Sequence, residues 1–188
     1  MYAAGGTDNS SYLDTVDKST FSSDADSTDV GNLITGTEGP AGANSNTHLY
    51  ASSGIAAGNV RTTRIEKISY ASDTNGISVG DLGTARQYVA GISSSTNGYV
   101  AGGNDPAKVN TIDRFSFASD GNAIDSSDLT VARDDISGTS STISGYMAGG
   151  NTGSTTNVID KFVFSTNANA TDVGDLTVSR RATAGSQY

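Results

Sequence analysis

The chain has 188 residues, 23 glycines, no cysteine, no tryptophan and a formal charge of −9 from 20 acids against 11 bases. The missing cysteines exclude a disulfide framework and cysteine-based metal or nucleophilic sites, and the acidic balance excludes the basic stripe that nucleic acid requires. No run of 18 apolar residues and no charged-then-apolar N-terminus is present, so neither membrane insertion nor a secretory signal is expected.

Only 35% of residues are hydrophobic and 16% charged, with Ser, Thr, Asn, Gly and Ala filling the difference. Low charge density combined with phased aromatics favours a thin-cored folded β protein over disorder. In chain order, a tyrosine strand at Tyr2 comes first, followed by Gly5-Gly6, a loop over Thr7–Tyr12, and Val16 with the acid–base pair Asp17-Lys18. Phe21, an acidic turn and Leu33 complete the unit.

The order then returns three times. Tyrosines stand at Tyr2, Tyr50, Tyr99 and Tyr146, with steps of 48, 49 and 47 residues. The series Val16/Ile65/Ile112/Ile159, Phe21/Tyr70/Phe117/Phe164 and Leu33/Leu82/Leu129/Leu176 all step by 49, 47 and 47. Independent markers sharing one frame define a repeat array, with units at about 1–47, 48–97, 98–144 and 145–188 of one domain.

In the third unit, strands are predicted at Tyr99–Ala101, Asn110–Phe117, Asp128–Val131 and Asp134–Ser140, because aromatic and β-branched residues alternate between turn residues there. No window carries a 3.6-residue apolar period. Phe115 and Phe117 point to one face of their strand and Ile112 to the other, so both faces are apolar and each sheet is expected to be sandwiched between neighbours. The expected fold is all-β, a four-bladed β-propeller with four-stranded blades.

The diglycines Gly5-Gly6, Gly102-Gly103 and Gly149-Gly150 end the tyrosine strands, and the second unit has Ser53-Gly54 instead. A diglycine strand end followed by an aromatic-bearing strand resembles the kelch repeat, over the whole chain. The tryptophan usual in that family is missing. In texture the units also resemble the Gly/Asn/Asp-rich kelch-like arrays of tailed-phage and other viral structural proteins. The resemblance implies a β-propeller with binding loops, in a virion, or alternatively in the cytoplasm.

Arg180–Gly185 aligns with the strand Asp134–Ser140 and lacks a following tyrosine strand, whereas Tyr2 lacks a preceding partner. Pairing of these two segments is expected to close the ring and remove both edges. Two chains completing an eight-bladed ring, or inclusion in a longer array, are the alternatives.

Several constellations could carry chemistry. Asp24, Asp26 and Asp29, and again Asp120, Asn122 and Asp125, place oxygen ligands at a spacing that a hard cation such as Ca²⁺ accepts. No bidentate Glu accompanies them, and Asx-turns account for the same residues more simply; no cofactor is otherwise expected. Arg86, Arg133 and Arg180 each follow the unit's leucine by four residues. They either line a channel for an anionic ligand or, as the preferred reading, serve the scaffold by pairing with an acid such as Asp113 or Asp160. The loops after the diglycines differ most, and Tyr12, Arg61, Arg64 and Lys108 are the side chains there able to stack on or clamp a ligand.

The lone histidine, His48, sits in a turn, and one histidine without cysteine leaves no His/Cys site. No catalytic set is recognisable. The expected function is a non-enzymatic structural or adhesion module of a phage particle (a tail-fibre, receptor-binding or capsid-decorating propeller) whose partner is a host glycan or another virion protein. A cellular protein–protein interaction propeller is the alternative, a glycan-active enzyme is disfavoured, and a homo-oligomer or larger assembly is compatible with the chain ends.

Overall fold

A computed structural model describes residues 1–186. The fold is all-β, and its principal sheets are antiparallel and succeed one another along the chain. The first consists of β1 (Tyr2–Ala4), β2 (Thr15–Lys18) and β3 (Thr28–Asn32), paired in that order. After the short β4 (Thr37–Glu38), the second sheet begins with β5 (Ala41–Asn44) and β6 (His48–Ser52). Its loop contains β7 (Ile55–Ala56), a 3₁₀ turn at Ala57–Asn59 and β8 (Val60–Arg61), before β9 (Arg64–Ser69) and β10 (Ile77–Asp81) complete the order β5-β6-β9-β10.

The third sheet repeats this plan with β11 (Ala90–Ser93), β12 (Asn97–Ala101), the loop hairpin β13 (Asn104–Asp105) and β14 (Ala107–Lys108), then β15 (Thr111–Ser116) and β16 (Ile124–Asp128). The fourth contains β17 (Ser137–Ser140), β18 (Ser144–Ala148), β19 (Val158–Val163) and β20 (Thr171–Asp175). Each of the last three sheets therefore takes its first strand from the residues that precede its tyrosine.

The two apolar faces of each central strand are used as the alternation requires. Tyr50, Ile65 and Leu82 of the second sheet pack on Val100 and Phe115 of the third. Tyr99, Ile112 and Leu129 pack on Met147 and Phe162 of the fourth, and Val16 and Leu33 of the first pack on Ala51 and Ile68 of the second. Phe115 thus faces backwards and Ile112 forwards. The core is a set of separate layers between successive sheets, so each sheet depends on its neighbours for burial.

Aromatic rings bridge every junction: Tyr2–Tyr70 at 4.7 Å, Tyr50–Phe117 at 4.8 Å and Tyr99–Phe164 at 5.1 Å between centroids. Such pairs contribute about 0.5–1.5 kcal/mol beyond area burial.

The first strands β5, β11 and β17 lie side by side, and they approach at glycine. A Cβ on Gly91 would collide with the backbone of Gly42, and one on Gly138 would lie 2.9 Å from Gly91 O. Only residues without a side chain permit that spacing.

Three expectations change. The first sheet has three strands and not four. The outer strand of the third sheet is Ile124–Asp128, not Asp128–Val131, and Leu129 follows it as a buried plug. That strand is mostly polar, its one buried residue being Ser127, so its place is set by pairing with β15, with a bulge at Ile112/Asp113, and not by apolar alternation. Ring closure within the chain is also not made among the described residues. Tyr2–Ala4 pairs with Thr15–Lys18 alone, while the C-terminal segment lies against the fourth sheet, where Ala182 N donates to Asp135 O at 3.0 Å and a Cβ on Gly185 would lie 2.7 Å from Gly138 O. The segment packs beside β17 just as β17 packs beside β11, and no strand pairing joins it to Tyr2–Ala4 among the described residues. Residues 187 and 188 lie outside the described part.

Candidate binding surface

The turns that join each first strand to its tyrosine strand are built alike. Ser45, Ser94 and Ser141 close them by backbone bonds, Ser94 N to Asn97 O at 2.9 Å and Ser141 N to Ser144 O at 2.8 Å, with Ser45 N to His48 O at 2.9 Å. Their hydroxyls accept from the backbone N–H groups of His48, Asn97 and Ser144 at 3.0–3.1 Å. Serine at this position satisfies the turn internally. The next residue in each turn, Asn46, Ser95 or Thr142, is left exposed at the tip.

Because β5, β11 and β17 are adjacent, these tips form a row along an open groove of about 630 Å³, lined chiefly by residues with uncharged hydroxyl and amide groups and by Gly42 and Gly91. Hydroxyls and amides donate and accept equally well, which suits a ligand carrying many hydroxyls. His48 adjoins the row, with Nδ1 2.8 Å from Thr47 Oγ1, and burial together with nearby Lys67 lowers its pKa.

The loops after the diglycines form a second tier. Gly102, at φ +61°, turns the chain where a Cβ would lie 2.5 Å from Arg133 O. Ser53 adopts the same left-handed conformation at φ 66° in the unit that lacks the first glycine, and its hydroxyl bonds to Arg86 O. Beyond these turns the loops diverge: a strand–3₁₀–strand excursion in the second unit, a hairpin in the third and isolated bridges at Asn151 in the fourth.

The candidate ligand-clamping residues have the following places. Arg61 lies 3.7 Å from Asp105 of the next loop, Lys108 lies 2.7 Å from the buried Asp134, and Arg64 reaches Glu66 at 3.4 Å and Thr35 Oγ1 at 3.0 Å. Tyr12 bridges to Thr7 and lines a recess of about 360 Å³ with Asn9, Ser10, Ser11 and Glu38. The three bases thus point at three different acids and are not gathered into one site.

Among the described residues no group of three or more His, Cys, Asp or Glu side chains converges as a metal site would. The acidic turns do something sequence reasoning missed. Asp120 accepts from Lys67 at 2.6 Å, as Asp73 does from Lys18 at 2.9 Å. Asn122 Oδ1 accepts from Asp81 N, Asn75 Oδ1 from Asn32 N and Asn169 Oδ1 from Asp128 N, each at 3.0 Å. Each turn reaches back to the preceding sheet. Asp29 accepts from Gly31 N in an Asx-turn, and Asp125 lies in β16 opposite Asp113, while Asp24 and Asp26 are exposed. The recurrence of Asn75, Asn122 and Asn169 at the 47-residue step was the available signal.

The repeated arginines divide. Arg86 and Arg133 are fully buried, with Nη2 at 2.7 Å from Asp113 and 3.1 Å from Asp160. The same nitrogens bond to Val100 O and Met147 O at 3.1 and 3.2 Å. Burial pushes the Asp113 carboxyl up and the Arg86 guanidinium down, and each opposes the other's shift by its charge. In the second sheet Thr37 occupies the arginine position, and Arg64 supplies the cation to Glu66 instead. Arg180 is exposed, and among the described residues its side chain reaches only Val178 O.

Compared with protein-family models the chain matches none, and no curated protein sequence matches it.

Proposed function

We propose that this chain is a non-enzymatic structural or adhesion module, its sheets serving as kelch-like propeller blades in a phage particle and its ligand a host glycan or a neighbouring virion protein. The observation that carries the reading is the division of labour between scaffold and surface. Junction chemistry is repeated sheet after sheet, whereas the diglycine loops differ and the turn tips Asn46, Ser95 and Thr142, an amide and two hydroxyls, share one groove. Recognition resides in such variable loops on a fixed frame, and a neutral hydroxyl and amide lining matches a glycan better than a polyanion, which the net charge of −9 would repel.

The test is a glycan array probed with the chain, with proteomics of purified virions alongside. Binding of a neutral glycan that is abolished by Ser95→Trp, which fills the groove, supports the reading. Turnover of a bound polysaccharide, or absence of both glycan binding and the chain from virions, refutes it.

A further inference from the structure

Every internal junction uses the same contacts. A tyrosine stacks on an aromatic of the following sheet; a base on β2, β9 or β15 reaches a turn Asp or Asn; the backbone N–H that ends β3, β10 or β16 donates to a turn Asn. In the last two junctions a buried arginine also meets the acid of the next central strand.

The outer faces of the first and fourth sheets hold the two unmatched halves of this scheme. On the fourth sheet Tyr146, Lys161 and Arg180 occupy the positions of Tyr99, Arg114 and Arg133. Lys161 sits 5.9 Å from the Tyr146 ring and, like Arg180, reaches no carboxylate among the described residues. On the first sheet Asp17, Phe21 and Asp24 occupy the positions of Asp160, Phe164 and Asn167. Phe21 is 91% exposed, while its counterparts Phe117 and Phe164 are packed into the junctions. Asp17 meets no base among the described residues.

The faces also match in shape. The fourth sheet presents a depression of about 570 Å³ beside Ala148, Leu176, Arg180 and Thr183. The first sheet has three strands where its successors have four, and the segment at Ala184-Gly185 holds the place that a first strand takes beside its predecessor.

We propose that a second copy of this chain docks its first sheet on the fourth sheet, head to tail. Arg180 then pairs with Asp17, Lys161 with Asp24, and Tyr146 stacks on Phe21. Ala184-Gly185 adds to β1 as the missing strand, with Gly185 opposite Ala3 in the register that Gly138 holds opposite Met147. Charge complementarity and continuity with three existing junctions select this occupant. Ala3 and Ser19 stand where Met147 and Phe162 fill the internal layer, so the contact between copies is lighter than those within the chain. A heterologous contact of this kind closes into a ring or extends as a filament according to its rotation.

The experiment is sedimentation and native mass spectrometry of the 188-residue chain from about 1 μM to 1 mM, a span that registers contacts of modest affinity. Concentration-dependent association is expected. Arg180→Asp and Asp17→Arg, both at sites that are not fully buried, are each expected to weaken it at least about thirtyfold, since each places like charges together. Mixing the two variants restores association, because every contact between them joins opposite charges. A chain that stays monomeric throughout, whether open or closed on itself, overturns the proposal. So does association that neither variant affects, or variants that fail to rescue one another while retaining their β circular dichroism.

Discussion

Replacing Arg86 by methionine removes the cation from a site where both partners are closed to water. Arg86 is 0% and Asp113 2% exposed, and the guanidinium also holds Val100 O. Breaking one side of such a pair leaves an uncompensated buried charge, which costs about 3–5 kcal/mol out of a total stability of about 5–15 kcal/mol. An unpaired buried carboxyl relieves part of that cost by taking up a proton, which places the expected loss near the lower end, at about 3 kcal/mol. The loss depends on pH in a definite direction. In the variant the buried carboxyl titrates above its ordinary value of 3.8, so the folded chain holds a proton that the unfolded chain has released. Stability therefore falls as pH rises through that window, and the deficit is largest at neutral pH and shrinks towards pH 3.8. Urea unfolding followed by far-UV circular dichroism measures it, the chain having no tryptophan. Arg86→Thr combined with Thr111→Arg rebuilds the arrangement of Thr37, Arg64 and Glu66 in the second sheet, and is expected to regain about half of the loss. A single-variant cost below about 1 kcal/mol, or a deficit that grows on acidification, would refute the reasoning.

Three further outcomes are expected. Gly91→Ala forces the Gly42 backbone away and costs about 1–3 kcal/mol, whereas Gly83→Ala, with open space around it, leaves the urea midpoint unchanged; equal effects would show that the first strands tolerate separation. Phe117→Ala, which empties the stack on Tyr50, costs about 2–3 kcal/mol, while Phe21→Ala changes the stability of the dilute monomer by less than about 0.5 kcal/mol. The Lys18 ammonium bonded to Asp73 holds that carboxyl below the usual carboxylate range. Its contribution to stability is present above the unfolded pKa and lost as pH falls through the folded value. Carboxyl NMR titration shows this directly, and Lys18→Met returns the midpoint to the ordinary range; an ordinary midpoint in the unmodified chain would count against the pair.

The repeat and its two-faced strands were legible because they depend on side-chain period alone, and Phe115 and Ile112 do face opposite junctions. The outer strands were misplaced because Ile124–Asp128 carries no alternation, and only its bulged pairing with β15 locates it. Compensating exchanges were also hidden. Gly98 and Gly145 leave room for the rings of Phe115 and Phe162 across the strand pair, while the second sheet fills the same volume with Leu49 opposite Ile68. Ring closure failed as an inference because it depends on the angle between neighbouring sheets. Gly42, Gly91 and Gly138 recur at the repeat's own steps of 49 and 47 residues and mark where the first strands approach, but their recurrence does not give the rotation from one sheet to the next. At the binding surface, the exposed tips were not singled out because Asn46, Ser95 and Thr142 differ in identity and become related only when the first strands are adjacent.

The matching of Arg86 to Asp113 and of Arg133 to Asp160 has a genetic consequence. A tandem duplication of the stretch that runs from one of these arginines to the next would insert a sheet already fitted to both of its new neighbours. Copy number in such a gene is thus free to drift by recombination without a poorly packed intermediate, and the protein can lengthen or shorten in whole increments while its surface loops diversify.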